Sequence, residues 1–586
     1  MRTELPFLVL LLGACIPEAA QYKGRDDPRD DHDGDGQTEL DGDCAPYDAF
    51  VWDGAPEYCD GRFNGCDSNG DNVDPTWTVE AELGKVTQVS PDNIPTDITD
   101  DWAAGTATSP LDVHIDAPAT IRVCPGIQHV SLQIDSDGVH LEGLPLPDHD
   151  PPTLSGGTRA PVLQVATEDG LTTVANLSLV DGASDTPGVA GGITVTSGDL
   201  HLNDAVLTGH VGLDGGALTV HGHASLARVY FELNQVTFTG SGGGAVHVSE
   251  QGALDADSIN VVQCNTHAAD REDPDAPKGG GLLNLGQATV RRSTFEAGQT
   301  VHGGAIANVG WLDLQDSVIR DNFAADGGGL WTAPGSSSTL TGVTVSGNRA
   351  TLTGSGGGIY NAGTMTILTS DLVDNWAAEF GGGVYIARDA VLTAEEVLVA
   401  SNYAFEGGNI TSEGLSTWED GAILAGLAHA GGGLYGAEFS HTTLTEVAVW
   451  SNSIRLEDLD DLGDEGRGGG AVLLRGSVFE CYADGATFRG PDLEPGPVFG
   501  NNQSEHHIAG GVMLADSHTV EDTVFRSFGC YFGADSKAND GAPLYAGFTH
   551  NLYDVAGLES DIVCSRSECI CGDLGPCPPY TPPEDE

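Results

Sequence analysis

The sequence predicts an all-β solenoid with coils of about 25 residues, on three observations: a recurring glycine pair, a two-residue alternation after each pair, and an Asn at a fixed place in the repeat. The pairs Gly280-Gly281, Gly303-Gly304, Gly328-Gly329, Gly357-Gly358, Gly382-Gly383, Gly407-Gly408 and Gly432-Gly433 mostly stand 23 to 25 residues apart. Others precede them from Gly191-Gly192 and follow them to Gly510-Gly511. Longer steps coincide with insertions such as Ala269 to Lys278 and Leu456 to Glu465.

Each pair opens a run that alternates apolar with small or polar residues. Gly358-Ile359-Tyr360-Asn361 is followed by a turn and then by Met365-Thr366-Ile367-Leu368. A period of two is that of a strand. A second run ends at Asn322, Asn348, Asn375, Asn402 and Asn452, each 17 to 19 residues after the second glycine of the preceding pair. Coils stacked in register therefore place these side chains above one another, where amides hydrogen-bond as a ladder at a corner. The glycines serve as corners that accept positive φ and close backbone approach. A nucleotide loop is not indicated, because no pair leads into Gly-Lys-Ser/Thr or an ordered strand and helix.

Two segments, Gly303-Gly304-Ala305-Ile306 through Asp321-Asn322 and Gly357-Gly358-Ile359-Tyr360 through Asp374-Asn375, resemble the GGAI/FxxN-type repeats of polymorphic outer-membrane proteins. The wider fold resembles the right-handed parallel β-helix of pectate-lyase-like proteins. Val123-Cys124-Pro125-Gly126, followed by Val130 to Ile134 and Val139 to Gly143, is similar to the opening coils of that family. The likeness covers most of residues 105 to 555. It implies a single-stranded right-handed parallel β-helix over residues 76–555, and it implies a fold more than a function. At about 4.8 Å per coil, roughly fourteen to seventeen coils make a rod of about 65 to 80 Å.

Lys and Arg number 23 against 87 Asp and Glu, a net charge of −64. Such a surface repels nucleic acid and anionic headgroups and suits divalent cations or a salty medium. Its first physical meaning is solubility, and the acidic run Glu457 to Asp461 is expected to be a solvated loop.

Leu5 to Leu12 form an apolar stretch too short to span a bilayer. Leu12-Gly13-Ala14-Cys15 then resembles the bacterial lipobox, which implies residues 1–14 as a signal peptide, lipid on the Cys15 sulfur, a linker over 15–30, and export to the outer membrane or cell surface. No later segment is long and apolar enough for a span, so lipid is the expected anchor.

Export permits disulfides. Cys44, Cys59 and Cys66 crowd the N-terminal segment, and Cys564, Cys569, Cys571 and Cys577 the C-terminal region 556–586, expected to be a Cys-rich cap and tail. These seven are the disulfide candidates, whereas Cys124, Cys264, Cys481 and Cys530 are scattered through the coils as expected buried hydrophobes. The cysteines beyond Cys15 are odd in number, so at least one stays free or pairs elsewhere.

The sharpest chemical motif is Asp31-His32-Asp33-Gly34-Asp35-Gly36. Carboxylates at alternate positions, with glycines permitting a tight bend, wrap oxygens around one hard cation. It is not an EF-hand, because Gly42 stands where the twelfth-position Glu is required. With Asp43-Cys44, Pro56-Glu57-Tyr58-Cys59-Asp60-Gly61 and Gly65-Cys66-Asp67, it resembles the MopE-like Asp- and Cys-rich metal-binding motif of surface proteins of myxobacterial type. The resemblance implies a metal module over residues 31–75 with Asp31, Asp33, Asp35, Asp43, Asp60 and Asp67 as ligands. Phe63 and Ser68 depart from the pattern. An oxygen-rich set with His32 as its sole imidazole favours Ca²⁺ over copper.

Parallel β-helices also host lyases, hydrolases and epimerases. The candidate acids and base are Asp313, Asp316, Arg320, Asp321, Asp371 and Asp374, but Asp321 and Asp374 recur beside the Asn corner as turn residues do. The adjacent His506 and His507 lack a partner motif. The sequence therefore points to a monomeric, lipid-anchored, calcium-associated protein that binds or displays glycans or surface proteins. A carbohydrate-active enzyme and a purely structural envelope rod are the competing readings. A row of aromatic side chains on one face would favour glycan binding.

Overall fold

The computed structural model describes residues 27–454 apart from 67–71, 73–76, 147, 238–240, 267–277 and 352, and after them 470–483, the segments 499–500, 502–504, 512–515 and 524–528, residue 530, and the segments 537–538, 552–554 and 561–564. Cys15, Asp67, His506, His507, Cys569, Cys571 and Cys577 lie outside the described residues.

The chain winds into a right-handed parallel β-solenoid of about 12 coils with almost no helix. One coil consists of strands Leu330–Thr332, Ser337–Thr341, Thr344–Ser346 and Arg349–Ala350. Each pairs in parallel with its counterpart one coil on, Trp331 facing Tyr360, Leu340 facing Ile367, Val345 facing Leu372 and Arg349 facing Trp376. Alternation then sends one side chain in and the next out, as the Ser337–Thr341 strand shows with Ser338 and Leu340 buried.

Core side chains stack in files along the axis. One file runs Leu314, Leu340, Ile367, Ala394, Trp418, Leu444. Ala394 next to Trp418 pairs a small with a large residue, so the file holds its volume while the indole, 2% exposed, fills the neighbouring layer. Between the second and third strands, and again after the third, a single residue in the left-handed region turns the chain. Asp316 and Asp321 (φ 47° and 56°), Thr369 and Asp374 (46° and 56°), and Glu396 and Ser401 (53° and 57°) occupy these two arches on different coils. Asp and Ser tolerate the arch because their short polar side chains bond locally.

The stack begins on Val86–Val89, antiparallel to Pro95–Asp97 and Ala119–Val123, with Trp102 buried beneath the first coils. Strands Ile127–Ile134 and Val139–Gly143 follow, where the opening coils are expected. At the other end Asp561–Cys564 pairs in parallel with Val524–Phe528, so coil pairing continues past residue 555 and includes Cys564 in its last strand.

Disulfides join Cys44 to Cys66, Cys59 to Cys124 and Cys481 to Cys530. The first two use the N-terminal candidates Cys44, Cys59 and Cys66, and the second and third correct the reading of Cys124, Cys481 and Cys530 as plain buried hydrophobes. The reason is topological: docking of the N-terminal region brings Cys59 to Cys124, 65 residues on, and coil stacking brings Cys481, inward on its strand, to Cys530, 49 residues on, within the core. Cys264 is free and fully buried, and desolvation pushes its thiol up to about 12. Native protein at pH 8 is expected to leave Cys264 unalkylated by iodoacetamide, with full modification after unfolding, as read by peptide mass spectrometry. Native labelling would show the corner to be open.

Candidate metal centre and side-chain rows

The N-terminal region folds on a small apolar cluster of Phe50, Val51 and Tyr58 against Val89 of the first coil. It is fastened there by the Cys59–Cys124 bridge, by Thr87 Oγ accepting from the Cys59 amide, and by Glu82 Oε2 accepting from the amides of Asp60 and Gly61. Glu82, Cys59 and Cys124 lie close enough to suggest a ligand group, but the two sulfurs are bonded to each other and unavailable to a metal.

Residues 31–36 form a loop in which Asp31 Oδ1 accepts from the Gly34 amide at 2.7 Å and Asp31 Oδ2 from the Gly36 amide at 3.1 Å. Gly34 (φ +84°) and Gly36 (φ +90°) supply the left-handed conformations that curl the chain back on Asp31. Asp33 Oδ1 accepts from the Asp35 amide at 3.3 Å, and Asp35 Oδ1 from Gln37 at 2.7 Å. One carboxylate oxygen each from Asp31, Asp33 and Asp35 falls within 4.8 Å of the others, and Asp33 Oδ2 and Asp35 Oδ2 are shielded from solvent without a hydrogen-bond partner. His32 stacks on Tyr47 at 5.3 Å between ring centroids.

Electrostatics tie Asp43 to this loop. Its carboxyl is raised above the ordinary value by desolvation and by Asp33, Glu39 and Asp31, while its Oδ1 accepts from the Ala45 amide at 2.8 Å. Asp35 is pushed up to about 6, mainly by desolvation, then by Asp33, Asp43 and Asp31. Like charges held together in partial burial destabilise one another unless a proton or a cation neutralises them. Hard carboxylate oxygens fit Ca²⁺ better than a soft or imidazole-seeking metal. Asp60 stands apart from this group. Its side chain is 4% exposed and its Oδ2 accepts from Arg62 Nε and Asn64 Nδ2, both at 2.9 Å, so it organises the next turn.

The candidate catalytic residues do not converge. Asp316, Asp321 and Asp374 are arch residues, Arg320 pairs with Glu296 at 2.6 Å, and Asp313 Oδ2 accepts from Gln315 within its own strand. Asp371 is a strand residue facing Thr344 and Leu398 on the adjacent coils.

The Asn corner forms a buried ladder. Asn322, Asn348 and Asn375 each donate from Nδ2 to Oδ1 of the next Asn, ending on Asn402, at 2.9 to 3.0 Å. Each also donates to a carbonyl of the preceding coil, those of Phe295, Ile319 and Val345. Asn452 continues the ladder to Asn502. Between Asn402 and Asn452 the corner residue is Gly426, and the missing amide comes from Asn409. Its Oδ1 accepts from Asn402 Nδ2 at 2.9 Å, and its Nδ2 donates to Asn452 Oδ1 at 3.0 Å. Asn409 occupies the third place of what is elsewhere a glycine triplet, as at Gly327 to Gly329 and Gly381 to Gly383, so the departure Gly-Gly-Asn was a visible signal.

A second row lies on the first strand of successive coils, on the side away from the core file: Ala307, Trp331, Tyr360, Tyr385, Thr411 and Tyr435 are neighbours in register, with Trp331 and Tyr360 half-buried and the other four buried. The Tyr360 and Tyr385 rings lie 4.8 Å apart, and Phe380 packs on Tyr385 at 6.1 Å. Tyr385 and Glu413 line one cleft, and the Glu413 charge adds to the desolvation that raises the Tyr385 hydroxyl. Aromatics at the same place after the glycine triplet, in Leu330-Trp331, Ile359-Tyr360, Val384-Tyr385 and Leu434-Tyr435, are the sequence signal for this row.

Fold and site together define a right-handed parallel β-solenoid with an Asp- and Cys-rich N-terminal region. No family model, curated protein or solved structure matches the chain.

Proposed function

We propose that the protein is an extracytoplasmic surface protein, anchored by lipid on Cys15, whose N-terminal loop takes up Ca²⁺ and whose solenoid displays side-chain rows for binding. The observation that supports it is the convergence of Asp31, Asp33 and Asp35, two of whose inward oxygens are shielded and unpartnered. An ion there would satisfy those oxygens and relieve the repulsion that raises Asp35 and Asp43. Calcium on this reading rigidifies the segment carrying the chain from its anchor to the first coil, and no polyanionic partner suits a surface of this charge.

Hydrogen exchange of the full chain with Ca²⁺ and with excess EGTA tests the proposal. Chelation is expected to lower protection across residues 27–66 and to leave residues 218–454 unchanged, because the coils are held by their own stacked contacts. Equal protection of residues 27–66 in both conditions would overturn the calcium reading.

A further inference from the structure

We infer that the row of Trp331, Tyr360 and Tyr385, with the cleft beside it, is a binding site for a non-acidic glycan lying along the solenoid axis. The inference rests on the reading of the solenoid as a binding body, and names its site and ligand class.

Beside the row lies a cleft of about 520 Å³, lined by Pro334 and Gly335 on one coil, Tyr360 on the next, Tyr385 and Arg388 on the third and Glu413 on the fourth. That volume is in the range of small-ligand sites. Trp331, Tyr360 and Tyr385 are successive register partners, so they recur along the axis at the coil spacing of about 4.8 Å. One pyranose residue of an extended glycan has a similar length. A chain laid along the axis thus presents successive sugars to equivalent side chains. Trp331 and Tyr360 are half-buried, and their rings supply the apolar faces that sugar C–H groups stack on.

Polar groups flank the row as such a ligand requires. Glu413 and Asp389 offer carboxylate acceptors to sugar hydroxyls, and Arg388 offers donors while it stacks over Phe439 at 4.7 Å. Two carboxylates against one guanidinium, in a protein of net charge −64, disfavour a uronate or sulfated chain. An extended peptide is disfavoured on other grounds. The strand amides and carbonyls of this face bond to the coils above and below, so the face presents side chains and no free strand edge for pairing.

Tyr435 is packed in a small apolar cluster with Ala430 and Leu473, but packing does not account for Trp331 and Tyr360. The row's inward neighbours Leu330, Ile359, Val384 and Leu434 fill the core file, while Trp331 and Tyr360 lie outside that core. Desolvation pushes the Tyr360 hydroxyl up to about 12, and that of Tyr385 higher still with help from Glu413, so both remain neutral donors at any physiological pH.

The full chain, probed on an array of neutral, amino-bearing and uronate-bearing hexasaccharides, is expected to be retained only by members without acidic groups. Retention is expected to weaken about tenfold in Tyr360→Ala, the loss of one stacked ring. Glu413→Gln keeps the shape of the cleft and is expected to weaken neutral ligands severalfold and amino-bearing ligands more. Added EGTA is expected to change nothing, since the cleft lies on coils remote in sequence from the Asp31 loop. Absence of retention by every non-acidic glycan, preferential retention by uronates, or unchanged retention in both variants would overturn the assignment. Calcium uptake measured on the same samples separates the two proposals. A chain that takes up calcium but fails the array loses only the glycan site, and one that binds glycans without calcium uptake loses only the metal loop.

Discussion

A chain carrying Asp31→Asn, Asp33→Asn and Asp35→Asn is expected to bind Ca²⁺ on the order of a hundredfold more weakly, because affinity in oxygen sites follows the number of anionic ligands. Asn preserves size, and its one amide oxygen can still accept from Gly34 or Gly36 at position 31 and from Gln37 at position 35, so the charge is removed at the cost of one of the two bonds that Asp31 makes. Calorimetry on the full chain reads the effect, and equal uptake by parent and variant would reduce the loop to an acidic linker. The wild-type chain carries an independent signature in pH. The Asp35 carboxyl is raised from 3.8 to about 6, so in the cation-free protein its contribution to stability is present below its unfolded value and is lost as pH rises through about 6. Calcium requires the ionised form and competes with that proton. Affinity is therefore expected to fall about tenfold between pH 7.5 and pH 5, following the fraction of one group ionised. In the triple variant this slope is expected to vanish together with the binding.

The period was legible in the sequence because a solenoid repeats its constraints. Every coil needs a corner with close backbone approach and an inward side chain at matched height, so glycines and apolar residues recur at one interval. The motif at Asp31, Asp33 and Asp35 was legible for the opposite reason, since all its members lie within five residues and local geometry alone brings them together. What crossed between coils was harder to see. Cys59 and Cys124 looked like members of different sets because their bridge depends on how the N-terminal region docks on the first coil. Asp60 shares the motif's spacing, yet Arg62 and Asn64 claim its carboxylate, a competition no spacing rule contains. The aromatic row was hidden by length variation, because the unequal steps between Trp331, Tyr360 and Tyr385 obscure a register that becomes regular only in the folded stack.

Replacing Asn409 with Gly is expected to destabilise the solenoid by roughly 2 to 4 kcal/mol, although repeat alignment makes Gly the usual residue at that place. The corresponding positions Gly329, Gly358, Gly383 and Gly433 all carry no side chain, so a reading of the repeat alone predicts a neutral change or a slight gain. The ladder predicts the reverse. Asn409 is fully buried, accepts from the amide nitrogen and Nδ2 of Asn402, and donates to the Leu424 carbonyl and to Asn452 Oδ1. Removing it takes the acceptor from the Asn402 backbone amide and one of the two acceptors from Asn402 Nδ2, which keeps the Leu372 carbonyl, while the Leu424 carbonyl keeps only the Ser401 amide. A buried donor left unpaired costs about 1 to 3 kcal/mol. It also opens a void between two coils, which adds a packing term. Gly426 cannot simply restore the corner as Asn, because a Cβ there would meet the Gly432 carbonyl oxygen at 2.1 Å. The two departures from the repeat, Asn at 409 and Gly at 426, are therefore one coupled exchange in which the amide enters the same corner from another strand end. Urea unfolding followed by far-ultraviolet circular dichroism is expected to show a lower midpoint for Asn409→Gly, comparable to that of Asn375→Ala in the regular part of the ladder. A surface change such as Asp371→Ala is expected to stay within about 0.5 kcal/mol of wild type. If Asn409→Gly behaved like the surface control, the corner at Gly426 would be self-sufficient and the ladder would be two separate segments.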